Sequence, residues 1–118
     1  MVFLGGGLGS ILRFVLGKWI GTSSGGFPWG TFSVNILGCF LIGIIFGLVI
    51  KDGTLSENQT YFLATGFCGG FTTFSAFAYE NQIFLKNGDL VNFGLYTFGS
   101  IIVGLLAVWF GLYLIKLA

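Results

Sequence analysis

The residues able to do chemistry in this chain are few, and nearly all are uncharged. Thr31 and Asn35 stand four apart, as do Asn92, Tyr96 and Ser100, with Gly104 continuing the second line. Residues four apart share a helix face, so each set reads as a stripe of hydroxyl and amide groups. Phe74 and Phe77 are three apart and face the same way, with Thr73 and Ser75 flanking them and Glu80 three residues further on. Ring edges are the positive side of the aromatic quadrupole. Together with hydroxyl and amide N–H groups, which can replace hydration water, they suit a small anion. A fixed cation would hold such an anion too tightly for release, and conduction needs sites weak enough to leave. The same residues also fit a plainer role. Asn35 and the stripe through Tyr96 and Ser100 could be interhelical glue, and Phe74 and Phe77 ordinary packing in a chain with 15 Phe. Glu80 could line a vestibule or be solvated.

Covalent chemistry is poorly provided for. Histidine is absent, which removes the commonest general base and metal ligand. Cys39 and Cys68 form no CxxC and no zinc spacing, and read as small apolar packing residues. No nucleophile–base pair is visible, so an enzyme is not expected. The net charge of +1 gives no basic patch, and nucleic acid is not an expected partner.

What must position these residues is set by composition. The chain has 118 residues, 55% hydrophobic and 8% charged, with a mean hydropathy of +0.96. Soluble domains carry about 25% charged residues, so this is a membrane composition. Four apolar segments, each of about 20 residues or more, are long enough to cross a bilayer: about Val2 to Gly21, Pro28 to Ile50, Tyr61 to Leu85, and Leu90 to Ile115. A turn at Thr22-Ser23-Ser24-Gly25-Gly26 and loops at Lys51-Asp52-Gly53-Thr54 and Lys86-Asn87-Gly88-Asp89 divide them. Ser56 and Asp89 are the expected caps of the third and fourth segments. Trp19, Trp29, Trp109 and Tyr113 sit near segment ends, as interfacial aromatics do. No loop can hold a soluble domain, so residues 1–118 read as a single four-helix transmembrane domain. The first segment lacks a cationic start and carries Arg13 and Lys18, which argues against a cleaved signal peptide. Gly5/Gly9, Gly17/Gly21, Gly43/Gly47 and Gly66/Gly70 are small-xxx-small pairs that let helices approach closely.

The third segment holds Gly66-Phe67-Cys68-Gly69-Gly70-Phe71-Thr72-Thr73-Phe74-Ser75-Ala76-Phe77. Paired glycines followed by β-branched residues weaken a helix interior. The expectation is a helix broken at membrane depth within this stretch, which is tolerated only where freed amides and carbonyls meet protein, water or an ion. The alternative is a glycine packing surface whose threonines bond back to their own helix. Arg13, the one cation deep in a segment, is expected to snorkel or to meet an anion or carbonyls. Lys51 and Lys116 flank one side of the bundle and Lys18 and Lys86 the other, so cation bias fixes no orientation. Two copies could then pair antiparallel about a two-fold axis in the membrane plane. Four short helices enclose little interior, which also favours a homo-oligomer.

Three runs carry a family resemblance: Gly5-Gly6-Gly7-Leu8-Gly9-Ser10 with Arg13, Thr31-Phe32-Ser33-Val34-Asn35-Ile36-Leu37-Gly38, and Gly66 to Phe77. Along its whole length the chain resembles the small bacterial fluoride channels called Fluc or CrcB. The resemblance implies an antiparallel, dual-topology homodimer in the lipid of the bacterial inner membrane, with two fluoride pores and a central structural sodium ion. It implies that Phe74 and Phe77 form the aromatic lining of the pore and that Asn35 meets fluoride. Tyr96 and Ser100 would form a polar track, with Thr73 and Ser75 as further contributors and Arg13 matching the first-helix arginine. The backbone carbonyls of Gly69 and Thr72 would bind sodium. Ala76 and Gly104 depart from relatives that carry hydroxyl residues there. The implied function is passive export of cytoplasmic fluoride. A small multidrug transporter, also four helices, would need an acidic residue in the first helix, and this one has none. A purely structural membrane protein would leave the third segment and the polar stripes unexplained.

Overall fold

Glycines decide where the helices touch. The first helix, α1 (Val2–Ile20), lies against α3 (residues 57–71), and a Cβ at Gly5 or Gly9 would overlap the carbonyl oxygens of Phe62 and Phe67. From the other side, a Cβ at Gly66 would stand 2.9 Å from the Val2 carbonyl oxygen. The second helix, α2 (Trp29–Asp52), packs along the last, α5 (Leu90–Leu117), in the same manner, with Gly43 against Val108 and Gly111 against Phe40. In hydrocarbon no hydrophobic force gathers helices, so contact area between close backbones and interhelical hydrogen bonds must hold them.

The computed structural model describes residues 1–22, 26–53 and 55–118, and the main chain alone at Asp52. Ser23, Ser24 and Gly25 of the expected first turn and Thr54 of the expected second loop lie outside the described residues. All regular structure among the described residues is helical. Three helices are long and apolar enough to cross a membrane, within Val2–Ile20, Trp29–Lys51 and Leu90–Leu117. The bundle is 48 Å in its longest direction, enough for a hydrocarbon layer of about 30 Å.

The third apolar segment is divided. α3 starts at Ser56, whose hydroxyl accepts from the Gln59 amide while the Gln59 side chain accepts from the Ser56 amide. Its middle, Tyr61–Cys68, is wound in wide π-type turns, and the Gly69 amide reaches back to the Ala64 carbonyl. Gly69–Phe71 complete it. Thr72 and Thr73 are extended, and α4 (Phe74–Lys86) begins directly after them. Of the weak helix formers in this stretch, the paired glycines stay helical and the two threonines are extended. Gly70 stays helical because its missing side chain seats it on Gly6 and Ser10 of α1. Asp89 caps α5 by accepting from the Asn92 amide. At the other end Lys51 Nζ donates to the carbonyls of Ile115 (3.1 Å) and Ala118, tying the close of α2 to that of α5.

Gly9→Ala should lower the thermal midpoint in detergent, by about 1–3 kcal/mol of stability, since overpacking against fixed backbone cannot relax. Gly7→Ala, with nothing within 4 Å of the added methyl, should be neutral or mildly stabilising. Equal effects at the two positions would refute the glycine seam.

Candidate functional site

Ending a helix leaves carbonyls without donors, and around Thr72 and Thr73 each replacement can be named. The Thr72 amide and hydroxyl both donate to the Cys68 carbonyl, at 3.0 and 2.9 Å. Arg13 Nε donates to the Gly70 carbonyl at 2.9 Å. The side chain of Asn35 lies flat on Thr73: its Oδ1 accepts from the Thr73 amide at 2.7 Å, and its Nδ2 donates to the Thr73 carbonyl at 3.1 Å. The Thr73 hydroxyl then caps α4 by accepting from the Ala76 amide at 3.2 Å, and sits 3.2 Å from the Ser75 hydroxyl. In an unbroken helix the Thr73 amide would serve Gly69 and the Ala76 amide would serve Thr72. Both donors are diverted, so the carbonyls of Gly69 and Thr72 lose their helical partners.

α2 supplies a second element of this seat, one turn beyond Asn35. A Cβ at Gly38 would overlap the Thr72 methyl and stand 3.5 Å from the Phe71 ring. Gly38 is thus a notch for Thr72, a role not apparent in sequence, where only its spacing of three from Asn35 points to it.

Two cavities meet at Thr73. One, of about 320 Å³, is lined by Asn35, Cys39, Thr72, Thr73, Phe74, Phe77, Ser100 and Ile101. Its aromatic pair has ring centroids 5.9 Å apart at 44°. Phe74 is 78% exposed, so the cavity is open on that side. The Ser100 hydroxyl is buried and has no hydrogen-bond partner in the protomer. The other cavity, of about 280 Å³, is lined by Arg13, Lys18, Thr31, Thr73 and Glu80 among others.

The structure brings together Asn35, Phe74, Phe77, Ser100, Thr72 and Thr73 as one lining, and places Arg13 in the other cavity. Ser75 lines neither. Tyr96 departs from a continuous donor track. Fully buried and packed on Phe77 at 4.9 Å, it donates to Glu80 Oε1 at 2.8 Å, while Thr31 donates to Oε2 at 2.8 Å. Hydrogen bonds to a charged acceptor are worth about 1.5–3 kcal/mol each, so this carboxylate is clamped rather than merely solvated. Tyr96 commits its one hydroxyl proton there. The pairing could have been sought from the sequence, because Glu80 follows Phe77 by one turn and Tyr96 is the only phenol in the fourth-helix stripe. Among the described residues no group of three or more Cys, Asp and Glu is placed to hold a metal by side chains.

The model of the family described as CrcB-like protein, Camphor Resistance (CrcB), matches residues 1–112. The chain belongs to the CrcB family. Within it, a protein of Gloeothece citriformis named fluoride-specific ion channel FluC is 49% identical over 98% of this chain and 94% of its own length. One of Thermus thermophilus with the same name is 48% identical over 94% of this chain and 87% of its own. A third, of Flavobacterium psychrophilum, is 44% identical over 98% and 94%.

In this CrcB chain Gly38→Ala should displace Thr72 and cost about 1–3 kcal/mol. Thr72→Ser, which removes the overlapping methyl and keeps the hydroxyl bond to Cys68, should restore stability to the double variant. Failure of that rescue, read as the thermal midpoint, would contradict the notch.

Proposed function

We propose that the protein is a subunit of a fluoride channel, working as an antiparallel homodimer in the bacterial inner membrane and letting cytoplasmic fluoride leave passively. The names of its relatives support the ion, and because the family is one of ion channels the chain is not an enzyme. The observation that carries the reading is the lining around Phe74 and Phe77. It is made of an amide, a free hydroxyl and two rings, with no cation in it, and one side is left for a second copy to close.

On this reading α3, the extended pair and α4 are one membrane crossing interrupted at depth. Arg13 and Lys18 raise the local concentration of anions at the outer cavity. The anion then passes Thr73 and trades hydration water for the remaining Asn35 N–H, the Ser100 hydroxyl and the ring edges of Phe74 and Phe77. Tyr96 acts one step removed, fixing Glu80 and supporting Phe77. An inverted pair of copies has two such linings, one for each pore.

The residues also fit a structural sodium ion. The carbonyls of Gly69 and Thr72 are hard, neutral oxygens whose helical donors have been diverted. Gly69 is exposed on the protomer, so two inverted copies can each bring a pair. Held there, a sodium ion would supply positive charge to offset the helix-end dipole at α3.

Purified protein in liposomes should release fluoride and retain chloride. Phe74→Leu and Phe77→Leu should each reduce fluoride efflux at least about tenfold, or about 1.4 kcal/mol of barrier, with the dimer still assembled. Chloride efflux as fast as fluoride, or unchanged flux in both variants, would refute the reading.

A further inference from the structure

An anion-lining side chain and a cation-lining carbonyl are joined here through one residue, Thr73. Asn35 Oδ1 takes the Thr73 amide at 2.7 Å, which is the proton that an unbroken helix would give to the Gly69 carbonyl. Nδ2 holds the Thr73 carbonyl, which belongs to the next peptide group, at 3.1 Å, so the two peptides flanking the Thr73 Cα are both held in the extended arrangement. A carboxamide has two N–H donors. The second remains after Thr73 is served, and Asn35 lines the cavity of Phe74, Phe77 and Ser100. We propose that Asn35 is the positioning residue of the cation site: its carboxamide keeps the Gly69 oxygen free while its remaining N–H serves the anion.

This rests on the reading that the Gly69 and Thr72 carbonyls hold sodium. It assigns Asn35 a role that a simple anion contact would not have. Removing the acceptor lets the Thr73 amide turn towards Gly69, and the cation loses an oxygen ligand. Removing only the donors leaves the Gly69 carbonyl exposed. The two ions are also coupled, because an anion on Nδ2 polarises the amide and strengthens the bond from Oδ1 to Thr73.

The test reads cation binding without flux: the thermal midpoint of the purified dimer in sodium against choline chloride, beside fluoride efflux from liposomes. Sodium should raise the midpoint of the unmodified protein by a few degrees, as any ligand specific to the folded state does. Asn35→Ala should lose both that rise and the efflux. Asn35→Asp, which keeps an acceptor for Thr73 and loses the amide donors, should keep the sodium-dependent rise and lose the efflux. A full sodium-dependent rise in Asn35→Ala would overturn the proposal, leaving Asn35 as an anion contact alone. No sodium effect on the unmodified protein would overturn the sodium reading itself, and the proposal with it. Should Asn35→Ala fail to assemble, the unmodified protein still decides: saturating fluoride should lower the sodium concentration for half-maximal stabilisation at least about threefold, or about 0.6 kcal/mol of coupling. An unchanged concentration would overturn the proposal.

Discussion

Every hydrogen-bonding group of a main chain in hydrocarbon needs a partner, and the two extended residues Thr72 and Thr73 concentrate that demand at one place. The surroundings answer it with particular groups. Asn35 takes the amide and the carbonyl of Thr73, Arg13 takes the Gly70 carbonyl, and the two threonine hydroxyls close the helix ends on either side. The carbonyls of Gly69 and Thr72 lose their helical donors, and α4 starts at a position that sends Phe74 and Phe77 into one cavity beside Asn35 and Ser100. The unusual backbone and the candidate site are therefore the same feature seen from two sides.

The rest of the bundle serves this arrangement. The glycine seam between α1 and α3 brings Arg13 within reach of Gly70, and Gly38 on α2 leaves space for the Thr72 methyl. Glu80, clamped by Thr31 and Tyr96, ties α2, α4 and α5 together just beyond the aromatic pair. Each of these contacts joins elements far apart in sequence, so the geometry at Thr73 depends on all the helices at once.

Much of this was legible in the chain. The hydropathy, the caps at Ser56 and Asp89 and the glycine pairs 5/9, 43/47 and 66/70 follow from local rules, and the structure has each of them, whereas an added Cβ at Gly17 would meet open space. The shared face of Thr31 and Asn35 is also present, turned towards the third segment. Which residues of the stretch would leave the helix was not legible. Intrinsic propensity marks Gly69-Gly70 and Thr72-Thr73 alike, but a helical glycine in close contact with another helix loses little, whereas adjacent threonines can cap both broken ends with their own hydroxyls. Tertiary contact overrode propensity there. The wide turns of Tyr61–Cys68 left no sequence signal, and the partner of the Tyr96 hydroxyl, Glu80, lies on another helix, so a pore track and interhelical glue both fitted the stripe.

The most direct measurement is an experimental density map of the assembled protein in sodium, at a resolution that separates carbonyl oxygens. The account predicts extended backbone at Thr72 and Thr73, the Asn35 carboxamide against the Thr73 peptide, and an ion peak shared by the Gly69 and Thr72 carbonyls of two inverted copies. A helix running unbroken from Gly69 to Phe77, with the Thr73 amide bonded to Gly69 and no peak beside it, would contradict it.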